Sequence, residues 1–524
     1  MATTPTAAGG LAPAAPRRQL TLLDSTSIIV GIIIGSSLYE STPLIANMVP
    51  SSGWLEWTLT WLPGSPTLSV PGTAWLVGFW VLGGLLSLVG ALVYAELATA
   101  YPESGGDYVY LTRAFGRRLG FLFGWAQLWV VRPGSIGAMA FVFARYANEL
   151  LVFFLARLAP DLAPLVSGRA ALAAWAVAAI VVLSLVNMLG VQQGKWTQNV
   201  LTLAKVLGVV AIVAAGFFWA TPPQAAAPAG PPSSGDFRLA LILILYAYGG
   251  WNEMAYVGAE VRNPEKNIVR ALVLGTVAVT VIYLLINLAF VRALGFEGLR
   301  NVLPEGKAVA SEVLQRTRIG AVGSPLVSLL ICITALGAIN GLIFTGSRIY
   351  YAMGNDHRFF AWLGRWSPRW GTPVRSLAIQ AAVTLALVVG FRLMHGPADQ
   401  PAPGPQPAAT AVAALQPAAP KPPPPTDFEG MVQFTTPVFW FFFLLIGETL
   451  FILRDREPGV RRPFRVPWFP RLAIWFYLSS LFMLYSSISY AIEKQAYEAL
   501  WAVGVVLLGL AVSYFDPRMK AAVG

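Results

Sequence analysis

Apolar positions in this chain come in long unbroken runs, not in the apolar-and-polar alternation of a surface helix. A membrane-crossing helix needs about 20 mostly apolar residues. Twelve segments meet that need: 24–48, 74–99, 119–156, 171–189, 198–219, 237–257, 268–291, 324–352, 374–395, 430–453, 471–491 and 497–515. The third and eighth exceed a straight crossing, so they are expected to tilt or to run on into a loop. In 221–235 and 396–427 the pattern gives way to proline and alanine, including the run Pro422 to Pro425. Such sequence buries no core and reads as a solvated, extended spacer.

The charged positions set the orientation. With the N-terminus in the cytoplasm, 22 of the 36 Lys and Arg residues fall on the inner side and 11 on the outer, five of the latter in one long loop, 292–323. The inner loop 454–471 carries six and the first outer loop, 49–73, none. Long segments cross despite their charge, so the positive-inside rule puts both termini in the cytoplasm. Residues 1–23, Ala/Pro-rich with Arg17 and Arg18, read as a cytoplasmic tail and not a cleaved signal peptide. Residues 516–524 form the second tail.

Composition agrees and narrows the classes. Of 524 residues, 56% are hydrophobic and only 12% charged, where a soluble surface takes roughly 25%. The reading is an all-α polytopic membrane protein whose main solvent is the lipid bilayer. A net charge of +11 invites nucleic acid, yet the basic residues are scattered in short clusters with no stripe. The one cysteine, Cys332, lies in an apolar run, and His357 and His395 lie in or next to loops. An intramolecular disulfide is therefore impossible, and no metal or cofactor is expected. A Ser/His/Asp set and a phosphate loop are also lacking, which argues against an enzyme and against a nucleotide-driven pump.

Chemistry enters where a helix should not break. Span one contains Gly31-Ile-Ile-Ile-Gly35-Ser36-Ser37, and span six contains Tyr246-Ala-Tyr248-Gly249-Gly250-Trp251-Asn252. Unpaired backbone is tolerated at membrane depth only where it lines a cavity. Glycine-interrupted spans at matching positions of two halves indicate an inverted-repeat transporter with its site at the midplane. Free N–H groups there would hold a carboxylate.

At these residues the chain resembles the L-type amino acid transporter branch of the amino acid–polyamine–organocation superfamily. The likeness lies in Tyr246 to Asn252 followed by Glu260-Val-Arg-Asn-Pro-Glu-Lys-Asn267; in Glu96 with Pro102 to Tyr108; and in Arg132-Pro133 with Phe141 and Tyr146. It extends through Asn187 to Lys205, Asn340 to Arg348 and Arg462 to Pro467, covering roughly residues 20–515. The resemblance implies a LeuT-type fold of twelve spans, with spans one and six broken. Two five-helix inverted repeats, about 24–219 and 237–453, are followed by two extra helices, about 471–515. It implies that Gly35, Ser36 and Ser37 cradle the substrate carboxylate, and that Ala247, Tyr248 and Gly249 line the break in span six, with carbonyls toward the amino group. Tyr246 matches the aromatic gate over bound substrate, and Asn252 and Asn340 match supporting polar groups. Lys205, a lone charge in an apolar run, matches the lysine that reaches span one and stands where sodium sits in sodium-coupled relatives. It is alternatively a proton carrier or a lysine reaching the inner interface.

Three departures bear on selectivity. Ser37 replaces the family's second glycine and narrows the cradle. Tyr39-Glu40-Ser-Thr intervene before Pro43, and Glu253 follows the span-six break where the family is usually uncharged. Glu40 and Glu253 are each expected to favour a cationic substrate or to carry a proton; alternatively Glu40 pairs with a nearby Arg or faces water, and Glu253 serves structure or faces water.

The resemblance thus implies a secondary active amino acid transporter, either a sodium-independent exchanger or a proton-coupled carrier. A carrier of polyamines or organic cations and a transport-inactive amino acid sensor remain as alternatives. Animal members of the branch join a heavy chain by a disulfide from the loop after span three. The corresponding loop here, about 157–170, has no Cys. The expectation is a single chain without that covalent partner, in a prokaryotic inner membrane, its oligomeric state and particular substrate open.

Overall fold

The computed structural model describes residues 15–35, 37–48, 72–162, 166, 168–221, 237–302, 308–317, 320–394, 427–493 and 497–515. Ser36, His395, most of both Pro-rich segments, residues 1–14 of the first tail and the whole of the second lie outside that set, as do the side chains of Ser37 and Glu40. Every regular element among the described residues is a helix; β pairing is confined to the isolated bridges Leu20–Val261 and Ser104–Val257. Among the described residues, nine helical segments are long and apolar enough to cross a membrane, and Leu22–Ile33 and Trp501–Ser513 are apolar but shorter. The protein is an all-helical, polytopic membrane protein.

The first apolar segment is two helices, α1 (Leu22–Ile33) and α2 (Ser37–Met48). α1 starts at a capping box: the Asp24 N–H donates to Thr21 Oγ1 and the Thr21 N–H to Asp24 Oδ2, which satisfies two end donors. It ends where Ile34 leaves helical geometry at φ −70, ψ 88. α3 (Gly72–Ala100) and the short α4 (Asp107–Phe115) follow.

Next comes a continuous 42-residue helical segment, Arg117–Leu158. It consists of α5 (Arg117–Ala126), a π turn (Gln127–Val131) and α6 (Arg132–Leu158). The π turn lies directly before Pro133. Proline has no N–H to give and crowds the turn before it, so the ladder widens there; the Arg132 N–H reaches back five residues to the Gln127 carbonyl. In a regular α-helix these two side chains would diverge by about 140°. The wider turn brings them to one face.

α7 (Arg169–Met188) and α8 (Val191–Ala214) precede the second interruption. α9 (Phe237–Ala247) stops after 11 residues. Gly250 takes φ +115, and a Cβ there would meet Ile32 Cγ2 at 2.6 Å, so only glycine fits both the backbone and the contact. The chain resumes as 3₁₀ turns (Trp251–Tyr256, Gly258–Glu260), then α10 (Pro264–Leu294), α11 (Phe296–Asn301) and α12 (Val309–Gln315). The remainder is α13 (Gly320–Asp356), α14 (Val374–Met394), α15 (Asp427–Arg456), α16 (Arg471–Glu493) and α17 (Tyr497–Ser513). α1 lies at the centre, packed on α8, α10, α13 and the 251–256 turns, while α2 packs on α9.

The half of the molecule nearest the N-terminus is closed by ion pairs and backbone pairing. Arg348 of α13 holds Glu260 with two bonds of 2.8 and 3.0 Å, both side chains fully buried. Glu96 of α3 accepts from Arg454 and from the Val466 N–H, with Arg462 at 3.6 Å. The N–H groups of Gln19 and Leu20 donate to the Glu260 carbonyl, and that of Arg262 to Leu20.

Candidate functional site

Both breaks face one cavity of about 830 Å³, within the range of small-molecule sites. Gly35 contributes from the first break and Gly249 and Gly250 from the second; α2, α6 and α9 contribute Leu44, Ser135 and Tyr246. All the α2, α6 and α9 residues in its wall lie on one side of the breaks, away from the N-terminal segment. The cavity therefore belongs to the half opposite the ion-paired one.

Lys205 of α8 is fully buried behind the first break. Its Nζ donates to the carbonyls of Gly31 (2.7 Å), Ile34 (3.0 Å) and Thr334 (3.1 Å). Those three bonds use all three ammonium protons and satisfy two carbonyls that the end of α1 leaves open. The side chain stays at the break and does not extend to an interface.

Tyr283 of α10 joins the two breaks, its hydroxyl lying 2.8 Å from the carbonyls of Ile33 and Ala247. The Ala247 carbonyl thus meets Tyr283, where the resemblance had implied a substrate amino group. Tyr248 points away from the cavity: it is buried, donates to the Trp80 carbonyl at 2.9 Å and packs on Trp80 and Tyr283. Asn340 also lies behind the wall, donating to Gln198 (2.8 Å) and Gly194 (3.1 Å) and accepting from Asn187 (2.8 Å). The expected site residues therefore separate. Gly35, Tyr246, Gly249, Asn252 and Glu253 line the cavity; Ala247, Tyr248, Lys205 and Asn340 support it. Ser36 and the side chains of Ser37 and Glu40 fall outside the described residues.

Glu253 is not a free acid. Its Oε2 accepts from Arg132 Nη1 at 2.8 Å and from Thr345 Oγ1 at 2.5 Å, and Arg132 Nε donates to Gln127 Oε1 at 3.1 Å. Arg132 also stacks 4.9 Å above the Tyr256 ring. A carboxylate matched in this way supplies no uncompensated negative charge, which favours a structural reading of Glu253 over a cation-favouring one. Arg132 and Gln127 were not expected in the cavity. The Arg-Pro pair was visible in sequence, but the π turn that aims Arg132 inward was not. From Asn252 a hydrogen-bond chain runs inward: its Nδ2 donates to Tyr256 Oη (3.2 Å), which donates to Asp107 Oδ2 (2.7 Å). Asp107 is the first residue of α4, and burial pushes its carboxyl up to about 7.

A family model described as amino acid permease matches residues 20–511. The chain is 29% identical to b(0,+)-type amino acid transporter 1 of Mus musculus over 504 residues, 95% of this chain and 88% of that protein. It is 25% identical to the serine/threonine exchanger SteT of Bacillus subtilis (strain 168), covering 96% of this chain and 98% of the relative. Large neutral amino acids transporter small subunit 2 of Mus musculus is 30% identical over 391 residues, 73% of this chain and 67% of that protein.

Proposed function

The chain belongs to the amino acid permease family, and we propose that it moves amino acids across a membrane by sodium-independent exchange. The observation that carries the reading is the meeting of two broken helices on one cavity, Gly35 on one side and Gly249 with Gly250 on the other. The α2 start and its neighbouring N–H groups offer donors to a carboxylate, and relatives named as amino acid transporters and as an exchanger align over almost the whole chain. Tyr246, half-buried on α9 at the cavity wall, closes over the substrate. Lys205 takes the place of a sodium ion: its ammonium already fills the carbonyl cage at the end of α1.

The architecture that goes with this reading is twelve spans. Two five-helix inverted repeats, about 24–219 and 237–453, are followed by two extra helices, and both termini are cytoplasmic. The two breaks, five spans apart, support it. The cavity then opens outward and the ion-paired half closes the cytoplasmic side. A chain working without a disulfide-linked heavy chain fits the burial of its one cysteine, Cys332, within α13. Pairing of Glu253 with Arg132 removes the uncompensated charge on which a polyamine carrier would depend.

The test is counterflow. Proteoliposomes loaded with unlabelled amino acids should take up labelled ones at the same rate in sodium and in choline buffers. Binding without flux would point to a sensor, and sodium-dependent flux would overturn the role of Lys205.

A further inference from the structure

Arg132 and Glu253 satisfy each other only in part. Arg132 uses Nε on Gln127 and Nη1 on Glu253 and Thr345 (3.3 Å); Glu253 uses Oε2 on Arg132 and Thr345. Among the described residues, Arg132 Nη2 and Glu253 Oε1 have no protein partner. Neither is a sealed orphan, and both residues line the cavity. The side chains are 3% and 7% exposed, so that small exposure is to the cavity itself. The pair also stands close to the second break, because the Glu253 N–H donates to the Gly250 carbonyl at 3.2 Å. Its cavity neighbours Ser135, Asn252 and Thr435 are polar too.

We infer that Arg132 and Glu253 together select the substrate side chain, admitting neutral side chains that carry both a donor and an acceptor, a hydroxyl or a carboxamide. This rests on the amino acid transport reading above. A guanidinium N–H and a carboxylate oxygen side by side offer one donor and one acceptor with no net charge. A hydroxyl answers both with a single oxygen; a carboxamide answers with its oxygen toward Arg132 and its nitrogen toward Glu253. A leucine or phenylalanine side chain would strip water from both charged groups and give nothing back. A lysine side chain would gain Glu253 but face the Arg132 charge, and a glutamate side chain the reverse. Selectivity thus comes from two residues 121 positions apart, which neither residue's identity reveals alone.

The experiment is a competition panel in proteoliposomes using serine, threonine, asparagine, glutamine, leucine, phenylalanine, lysine and glutamate. The first four should be exchanged better than the rest by roughly tenfold or more in kcat/KM, and the ranking of hydroxyl against amide shows which fits best. In Glu253→Gln the Arg132 charge is unmatched, so glutamate should rise relative to serine. In the double variant Arg132→Met/Glu253→Met, which leaves no lone charge buried, leucine should overtake serine. Exchange of leucine or lysine as good as that of serine by the wild type would overturn the inference while leaving amino acid transport intact. An unchanged ranking in Glu253→Gln would overturn it too. No exchange of any amino acid would instead remove the transport reading, and this inference with it.

Discussion

A single ammonium, that of Lys205, answers three backbone carbonyls at the end of a broken helix. Lys205→Met leaves the carbonyls of Gly31, Ile34 and Thr334 without their donor, at about 1–3 kcal/mol for each buried polar group. Exchange should fall by more than roughly tenfold while the protein still inserts and elutes as a folded species. Lys205→Arg should not rescue, because a planar fork cannot meet three carbonyls that converge on one point. Lys205 was legible in sequence because a lone charge in an apolar run has few reasons to be there. Arg132 with Glu253 was not, since their meeting depends on a π turn and a long-range contact. Asp107 carries a different prediction. Tyr256, Tyr94 and Tyr110 surround its carboxyl, with Glu253, Glu103 and Arg132 acting on the same cluster. It holds its proton up to about 7, where an exposed carboxyl loses it near 3.8. The folded state therefore binds the extra proton between those values, and stability falls as pH rises through that window and then levels. Thermal melts in detergent between pH 5 and 8 should show the decline, and Asp107→Asn should flatten it.

At the scale of elements, the interruptions matter more than the helices. Apolar runs located most long helices to within about four residues, because twenty apolar residues in a row have few other fates; α8 instead begins at Val191, ahead of the run from 198 that marks it. Glycine located both breaks, yet it did not say which groups would answer the freed carbonyls: Lys205 for α1, and Tyr283 between Ile33 and Ala247. Nor did it separate Tyr246, which faces the cavity, from Tyr248, which packs behind it on Trp80. The 3₁₀ course of 251–256 was also hidden, since sequence marks where a helix weakens and not what replaces it. Gly250 is the most constrained point of the second break, with its positive φ and Ile32 in the place of a Cβ. Gly250→Ala should cost about 1–3 kcal/mol through strain alone, lower the melting temperature and weaken substrate binding. If the ring closes the site as proposed, Tyr246→Ala should instead keep the melting temperature and slow exchange, with Tyr246→Phe near the wild type. Equal exchange by the Ala and Phe variants would show that the ring only packs.

The whole molecule is asymmetric about its breaks: an open cavity in one half, two buried ion-pair clusters in the other. Several motif residues that support the resemblance, Glu96, Glu260, Arg348 and Arg462, prove to be members of those clusters. None of them lines the cavity; they join the exit of α3 to the end of α15, and the segment after the second break to α13. If the proposed transport works by alternating access, with the ion-paired half opening in turn, such contacts would have to part and would bias the equilibrium between the two states. Glu260→Gln tests this. Removing one partner of a fully buried pair leaves Arg348 uncompensated, at about 3–5 kcal/mol. If the contact exists in both states, the variant simply melts earlier. If it exists only when the inner side is closed, the population shifts as well. Ser104, paired with Val257 shortly after the second break, reports the difference. A cysteine placed at Ser104 in a Cys332→Ser background should resist a water-soluble thiol reagent in the otherwise intact protein. Adding Glu260→Gln should expose it, and occupancy of the cavity by substrate should change the labelling rate. A lower melting temperature with Ser104→Cys still protected would assign the Glu260–Arg348 pair to stability alone and leave the switch to be sought at Glu96.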